Sequence, residues 1–365
     1  MKIVKLTRYK IFSLTTIVFI IIIVSCKFNN DQDINNEELR AIWLHQGVFD
    51  KSEKIARSGI IDLFNSYKEI GVNNLFCYNT LMEQHDLGWD YLQILIDEGH
   101  KCGIKIHPVF CPGHKVKIED EIKDHPEWLI HGLDSTIYPN LNLTIPGARN
   151  YWMCKITKAL DYDIDGIHLD YLRFPVNQQF SYDSITCSRF KQQFGYSPVE
   201  VAHNCGSMIW CEWIKWNADQ VTALLREIRE TIDRSGKNIL LGADVFPDYA
   251  SAQILTGQGW DSWIEEGSVD FVCPMLYTNN SELFGDYVAR AVELSGNDCA
   301  VYPGIGVATT HNKITKELLI EEISIAREKG AGGVAFFSGY SFNKEFRDTL
   351  KTTVFSNRQP ENVPR

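Results

Sequence analysis

Several patterns that mark common functional classes are missing from this sequence. Its ten cysteines form no Cys-x-x-Cys pair, and its ten histidines form no His-x-His or His-Glu-x-x-His pattern. The first absence argues against a structural zinc site, and the second argues against a metal-dependent hydrolase. The formal net charge of -11 at pH 7 provides no general positive field for nucleic acid. We therefore predict no metal, no cofactor and no nucleic-acid partner.

Acidic residues are also missing from residues 1–25, where the chain carries a targeting pattern. Residues 1–10 contain four basic residues, residues 11–24 are almost wholly apolar, and Ser25-Cys26 follows. The apolar run is too short for a comfortable transmembrane helix and has a length typical of signal peptides. The segment resembles a bacterial lipoprotein signal, which implies cleavage before Cys26 and a lipid on its thiol. An uncleaved anchor helix is the alternative.

The rest of the chain lacks internal repeats and alternates short apolar runs with longer amphipathic segments. Eight runs are predicted strands: residues 39–49, 72–79, 103–111, 165–174, 239–246, 270–277, 300–307 and 332–337. Apolar residues at helical spacing lie between them, and several predicted helices end at a glycine. Eight strand–helix units predict a single-domain (β/α)8 TIM barrel. A doubly wound sheet is the alternative, but residues 45–50 lack its usual Gly-rich phosphate loop.

These patterns also define the predicted segment boundaries. We predict a signal peptide over residues 1–25, a polar tether over 26–38, the barrel over 39–355 and a tail over 356–365. Two long connections, residues 112–146 and 176–207, follow the third and fourth strands. Connections of this length in a compact domain are usually functional, and on the catalytic side of a barrel they could wall a substrate groove.

The segment 165–175 combines strand periodicity with charged side chains. Ile167 and Leu169 fall on one face, and His168 and Asp170 fall on the other. Burying an unpaired carboxylate is costly, so Asp170 must be paired or open to a cleft. In a barrel that cleft lies at the C-terminal ends of the strands, where catalytic groups collect.

A second acid, Asp244, follows the same logic on the fifth strand. Its apolar neighbours at alternate positions share one face, so Asp244 faces the barrel interior. Two carboxylates on neighbouring strands are what glycoside hydrolysis requires, one as acid and the other as nucleophile or base. The structural alternative is an ion pair of Asp170 with Arg173 or His168 that only closes the barrel.

Four segments along the chain carry a family resemblance. They are residues 40–44, 125–129, 165–175 and 259–277, of which 165–175 is the most specific. In this order they resemble the glycosyl hydrolase-like 10 family of bacterial proteins. The resemblance implies a (β/α)8 glycosidase, here a lipid-anchored enzyme of the cell envelope acting on a polysaccharide or cell-wall glycan. Asp170 would be nucleophile or general base and Asp244 the partner acid, roles that could be swapped.

Further inward-facing side chains are candidates for substrate binding: Trp43, His45, Asn79, His107, His168, Arg173 and Tyr277. Trp43 would either form the base of a sugar-binding site or fill the barrel interior. His107 would be either a core histidine or a cleft residue. Arg173 would hold Asp170 ionised and oriented. Should Asp244 not be the partner acid, the next acids to consider are Glu83, Asp86 and Asp248.

Two other functions stay open from the sequence. A non-catalytic glycan-binding lipoprotein would keep Trp43 and the aromatic residues of the loops but would not need two matched carboxylates. An enzyme that uses a divalent metal, such as a deacetylase, is disfavoured by the missing ligand patterns.

We predict that the mature protein begins at Cys26, because the basic region, the apolar run and Ser25-Cys26 together form a lipoprotein signal. Mass spectrometry of the protein from an expressing bacterium should find Cys26 at the N-terminus with the added mass of lipid. Cys26→Ser keeps the apolar run intact and should lose the lipid. A mature product that begins elsewhere and carries no lipid would contradict the prediction.

Overall fold

The computed structural model describes residues 37–45, 52–78, 88–117, 120–176, 180–202 and 206–355. All of these residues except Glu37 belong to one unit of the chain, which starts at Glu38. The predicted signal peptide, the lipidation site Cys26, most of the tether and the C-terminal tail lie outside the described residues. So do three residues that follow the second strand, namely Asn79, Glu83 and Asp86.

Parallel strands form a sheet in the order β10-β11-β1-β2-β3-β6-β7-β8-β9. Their bounds are β1 Leu39–Leu44, β2 Asn74–Tyr78, β3 Lys105–Phe110, β6 Gly166–Leu169, β7 Leu240–Val245, β8 Phe271–Pro274, β9 Ala300–Val301, β10 Gly304–Gly306 and β11 Gly333–Phe337. Strands β4 Leu129–His131 and β5 Ile137–Leu141 form a separate antiparallel hairpin within the long connection after β3.

The sheet closes because β9 and β10 are two parts of one barrel strand. Pro303 interrupts that strand, and proline has no N–H for the ladder. On one side Phe271 pairs with Ala300 and Met275 bridges to Gly304; on the other, β10 pairs with β11. The eight strand positions are the eight predicted runs, so the structure confirms the predicted (β/α)8 barrel.

Helices follow the strands along the chain. Their bounds are α1 Glu53–Glu69, α2 Tyr91–Cys102, α3 Asp120–Lys123, α4 Pro146–Ala159, α5 Ser184–Phe194, α6 Pro198–Val201, α7 Met208–Ser235, α8 Tyr249–Thr256, α9 Trp260–Glu265, α10 Ser281–Ser295, α11 Lys316–Glu328 and α12 Lys344–Thr349. Four predicted glycine ends have positive φ, as expected of helix C-termini: Gly71, Gly103, Gly267 and Gly330. Among the described helices, none has the length and apolar character needed to cross a membrane.

Two apolar layers lie on the two faces of the barrel strands. Ile167 and Leu169 of β6 pack in the layer that faces the helices, as their alternation predicts. The interior holds Trp43 and Phe76 among other side chains, and His168 stacks on Phe76 with ring centroids 4.1 Å apart. The barrel axis is therefore filled by aromatic rings below the C-terminal mouth of the strands.

Polar residues at the N-terminal end of the barrel tie neighbouring strands together. The Asp270 carboxylate accepts a hydrogen bond of 2.6 Å from the Leu241 N–H and one of 3.0 Å from Arg229. In the same way Asp165 accepts from the Ile106 N–H at 2.8 Å. Each carboxylate accepts the N–H of the second residue of a strand, which would otherwise lack an acceptor at the sheet end.

We predict that Asp270→Ala lowers the free energy of unfolding by about 1–3 kcal/mol, because the Leu241 N–H loses its acceptor. Denaturant unfolding followed by circular dichroism gives the change. Asp233→Ala is the matched control, since Asp233 binds the same Arg229 from a position with 63% side-chain exposure. Its effect should stay below about 0.5 kcal/mol. Equal losses in the two variants would assign the effect to Arg229 and contradict the prediction.

Candidate active site

Asp170 follows β6 at the C-terminal mouth of the barrel, where it is 7% exposed. The Tyr78 hydroxyl donates a hydrogen bond of 2.8 Å to Oδ2, and the Tyr171 backbone N–H donates one of 2.7 Å to Oδ1. The Asp170 N–H continues the pairing with β3 by donating to Phe110 O at 2.9 Å. One carboxylate oxygen is therefore held from β2 and the other from the turn that follows β6.

A tight turn after Asp170 fixes where this carboxylate sits. Tyr171 has a φ of 51°, which is unusual for a residue other than glycine and marks local backbone strain. The Gly113 N–H donates to Tyr171 O at 2.8 Å. A Cβ at position 113 would overlap the carbonyl oxygens of Tyr171 and Arg173. Only glycine allows the loop after β3 to approach this turn so closely.

Asp244 lies next to Asp170 across the strand pair. Leu169 is paired with Ala243, so one further step in register places Asp170 beside Asp244. Asp244 is 3% exposed, and its Oδ1 lies 2.9 Å from Nε2 of His168. Parallel strands are about 4.8 Å apart, so the two carboxyls belong to one site.

A third interior side chain completes the contact below Asp244. The Trp43 indole N–H donates to Nε2 of His168 at 3.3 Å. Trp43 and His168 have no exposed surface. Trp43 therefore plugs the barrel, and neither ring is open to a sugar in this structure.

Arg173 lies over two aromatic rings near the carboxyls. Its guanidinium carbon is 4.2 Å from the ring centroid of Tyr171 and 4.6 Å from that of Phe246. Within the described ranges, no carboxylate lies within 4.0 Å of it, and the carboxylate beside His168 is Asp244. The structure thus contradicts an ion pair of Asp170 with Arg173 or His168. The positive charge of Arg173 instead lowers the pKa of both carboxyls from a distance.

Burial dominates the electrostatics of the pair. It raises the pKa of Asp170 from 3.8 to about 6, with a further increase from the Asp244 charge, against the hydrogen bond from Tyr78 and the Arg173 charge. Burial raises the pKa of Asp244 well above its usual value. After burial, the charges of Asp170 and Asp244 both raise the pKa of Tyr78 and of Tyr277. The two carboxyls therefore share one set of neighbours.

The other predicted site residues fall into two groups. His45 and Tyr277 are half-buried at the mouth, and both contact Phe337: ring centroids are 5.6 Å apart for His45 and 5.3 Å for Tyr277. His107 has no exposed surface and contacts Asn74, the first residue of β2, at 2.8 Å. The structure thus brings His45 and Tyr277 to the carboxyls but places His107 in the core towards the other end of the barrel.

Asp248, one of the three reserve acids, caps a helix and is not part of the carboxyl pair. Its Oδ2 accepts from the Ser251 N–H at 2.9 Å and caps α8. This bonding lowers the pKa of Asp248, as expected of a helix N-cap. The other two reserve acids, Glu83 and Asp86, lie outside the described residues.

The two long connections are joined by a buried polar network. Asn142, in the connection after β3, donates 2.8 Å hydrogen bonds to Asp183 and to Thr186 in the connection after β6. Thr144 adds a 2.7 Å contact to the Thr186 hydroxyl. Since every bond crosses between the connections, the two form one fixed structure. The groove wall is predicted from the length of the connections alone, and the small polar residues within them are the sequence signal for how the two connections are joined.

Sequence analysis missed Tyr78, which contacts Asp170 directly. Its ring stacks on His45 with centroids 4.1 Å apart and an interplanar angle of 12°. Strand alternation places Tyr78 on the same face as Phe76, so the inward direction was available from the sequence. The hydrogen bond was not, because it joins residues 92 positions apart.

His168, Asp244 and Cys273 are candidates for metal ligands, since their ligand atoms lie within 4.8 Å of one another. A metal would require all three groups in deprotonated form. Burial raises the pKa of the Cys273 thiol well above its usual value, with a further increase from the Asp244 charge. The Trp43 N–H also points at Nε2, the atom that would bind the ion. The trio therefore does not fit a metal, and His168 instead contacts Asp244 at 2.9 Å.

Comparison with known proteins gives a consistent family. The model of the glycosyl hydrolase-like 10 family matches residues 69–318. Glycosyl hydrolase YngK of Bacillus subtilis is 22% identical over 400 aligned residues, covering 90% of this chain and 74% of YngK. Glycosyl hydrolase DigH of Escherichia coli K12 is 22% identical, covering 67% of this chain and 61% of DigH. The chain therefore spans less than two thirds of DigH.

A solved structure supports the fold. The glycoside hydrolase domain of PgaB (BpsB) from Bordetella bronchiseptica matches with a TM-score of 0.69 and 12% sequence identity. The match covers 86% of this chain and 98% of that domain. At this identity the likeness concerns the barrel and not its substrate.

We predict that Asp170→Asn gains stability relative to the wild type as pH rises. The pKa of the wild-type Asp170 carboxyl is about 6 in the folded protein and 3.8 in the unfolded chain. The wild type is therefore most stable below about pH 4, where the carboxyl is protonated in both states, and it loses stability as the pH rises to about 6. The difference should approach about 3 kcal/mol at pH 7. Urea unfolding at several pH values measures it. Asp248→Asn is the control with the opposite sign, because its pKa is lowered. A pH-independent difference for Asp170→Asn would contradict the prediction.

Proposed function

The chain belongs to the glycosyl hydrolase-like 10 family, and we propose that it hydrolyses O-glycosidic bonds in a polysaccharide or cell-wall glycan. The observation that carries this proposal is the pair of inward carboxyls at the barrel mouth, Asp170 and Asp244, on adjacent strands. Both have raised pKa values caused first by burial. A glycosidase needs two such groups near each other, with one protonated and one ionised.

In the proposed reaction, Asp244 protonates the glycosidic oxygen and Asp170 attacks the anomeric carbon. The bond from Asp170 to carbon forms as the bond from carbon to the leaving oxygen breaks. A water molecule then gives a proton to Asp244 and its oxygen to the anomeric carbon, which releases Asp170. The Arg173 charge favours the ionised form of Asp170, as a nucleophile requires, and its similar effect on Asp244 is outweighed by burial.

The mouth of the barrel supplies surfaces that suit a sugar. Half-buried His45, Tyr277 and Phe337 form an aromatic group beside the carboxyls. Aromatic rings present flat apolar faces with a polar edge, which matches the mixed surface of a sugar ring. We therefore propose that His45 and Tyr277 contact substrate.

We also propose that the protein acts in the cell envelope, attached by lipid at Cys26. This rests on the basic region, apolar run and Ser25-Cys26 of the N-terminus. A lipid anchor and a polar tether would keep the enzyme near glycans outside the cytoplasm, so the membrane would be a place of attachment only.

We predict that Asp170→Asn and Asp244→Asn each lower kcat/KM by about 10³-fold or more, because each removes one half of the acid–base pair. Release of reducing ends from purified cell-wall glycan and a panel of polysaccharides measures the rate. Asp248→Asn should keep wild-type activity, since that carboxylate caps a helix.

The register of Asp170 and Asp244 also predicts the stereochemistry of this reaction. Neighbouring parallel strands favour a carboxyl separation of about 5–5.5 Å, which predicts retention of the anomeric configuration by NMR. Inversion would contradict the covalent step. If the wild type binds glycan but does not cleave it, the protein is a non-catalytic glycan-binding lipoprotein and the proposed hydrolysis is wrong.

A further inference from the structure

Arg173 lies at the mouth of the barrel, three residues after Asp170, on the turn that follows β6. No carboxylate among the described residues contacts its guanidinium. We propose that Arg173 binds a carboxylate of the substrate, so that the glycan cleaved at this site contains acidic sugars. The proposal rests on the proposed function, because it names the class of sugar that the same site accepts.

Two aromatic rings hold the guanidinium of Arg173 in place. Its carbon lies 4.2 Å from the ring centroid of Tyr171 and 4.6 Å from that of Phe246. Such contacts cover the flat faces of a guanidinium and leave its N–H groups at the edge. This edge is a rigid fork that matches the two oxygens of a carboxylate. Because stacking orders the side chain before an anion arrives, binding the anion costs little conformational entropy.

Most donors of this fork have no acceptor in the described part of the chain. Nε is buried without a hydrogen-bond partner, whereas Nη1 and Nη2 are not enclosed in this way. One donor serves the Tyr171 hydroxyl: burial and the Asp170 charge raise the pKa of Tyr171, against the charge of Arg173 and its hydrogen bond. Arg173 is 7% exposed, and a charge so far removed from water needs an opposite charge and acceptors. A substrate carboxylate supplies both.

The two carboxyls of the site do not fill this place. Asp170 is held by the Tyr78 hydroxyl and by the turn after β6. Asp244 contacts His168 at 2.9 Å and accepts a side-chain hydrogen bond from Trp43. The guanidinium lowers the pKa of both carboxyls by its charge alone, from a distance. Its remaining donors are therefore directed at neither carboxyl and are left for a group from outside.

The wall next to this turn also carries basic side chains. His114 and Lys115 follow β3, and both are exposed. The His114 ring contacts the Tyr171 ring, with centroids 4.6 Å apart. The Lys115 backbone bridges to Asn140, and Lys115 has no ion pair with the described residues. In a chain with a formal net charge of -11, a cation on this wall favours the approach of an anionic glycan.

Carboxyl reduction of the glycan tests the proposal, because it converts carboxylates to alcohols and keeps the glycosidic linkages. The substrates are purified cell-wall glycan and polygalacturonate, each before and after reduction, with released reducing ends as the measurement. For the wild type, kcat/KM on at least one of them should be about 10-fold to 100-fold higher before reduction, as for a lost hydrogen bond to a charged group. The glycan that shows the preference identifies the source of the carboxylate.

In Arg173→Gln the ratio of the two rates should fall close to one. Any change that this variant makes to the pKa values of the carboxyls acts on both forms of the glycan and cancels in the ratio. Arg173→Lys keeps the charge but loses the fork, so it should keep only part of the preference. Arg234→Gln is the matched control: it removes the same charge from a side chain that is 73% exposed near the end of α7, and it should keep the wild-type ratio.

A wild-type ratio close to one on both glycans would overturn the proposal, and this comparison needs no variant to fold. A preference that survives in Arg173→Gln would also overturn it and leave Arg173 as a group that only adjusts the pKa values of the carboxyl pair.

Binding to Asp244→Asn separates the proposal from the proposed hydrolysis, since this variant lacks the partner acid. Isothermal titration with oligosaccharides of the two glycans should give a Kd about 10-fold lower or more before carboxyl reduction, and adding Arg173→Gln should remove the difference. Such a preference without cleavage by the wild type supports the carboxylate site and contradicts hydrolysis. Cleavage of both forms at equal rates supports hydrolysis and contradicts the carboxylate site, as does equal binding or no binding of the unreduced forms.

Discussion

The contact of His168 with Asp244 is the interaction on which the rest of the site depends. It links β6 to β7 at a level where the barrel is otherwise filled by aromatic rings, and it gives the buried carboxyl the partner that burial demands. Trp43 completes it from β1, so three strands meet at one polar cluster. Asp170, one step nearer the mouth, can then be held by Tyr78 and its own turn without competing for His168.

Much of this fold could be predicted because strand and helix periodicities are local. The eight strands, the glycine ends of the helices and the inward direction of Asp170 and Asp244 all follow from spacing within a few residues. The interruption at Pro303 divides the seventh strand position but leaves it in the predicted place. The helices α3, α5 and α6 lie in the two stretches predicted to be long connections, where short polar segments give weak periodicity.

The partners of each side chain could not be predicted, because they join residues far apart in sequence. The sequence spacing predicts Arg173 or His168 as the partner of Asp170. In the structure, Tyr78 hydrogen-bonds to Asp170, and His168 contacts Asp244. An arginine close in sequence can still stack on aromatic rings when a tight turn directs it away from the carboxylate. Pairing of this kind is decided by strand register and turn geometry, which exist only in the folded chain.

The bonds from Asn142 to Asp183 and Thr186 have a consequence for the choice of substrate. These bonds lock the two connections to each other through buried side chains. If the connections line the substrate groove, we expect that side of the groove to keep a fixed width, so that a glycan with a bulky branch there is excluded and an unbranched glycan is admitted. We therefore expect discrimination among glycans on this flank to depend on shape, set when the protein folds.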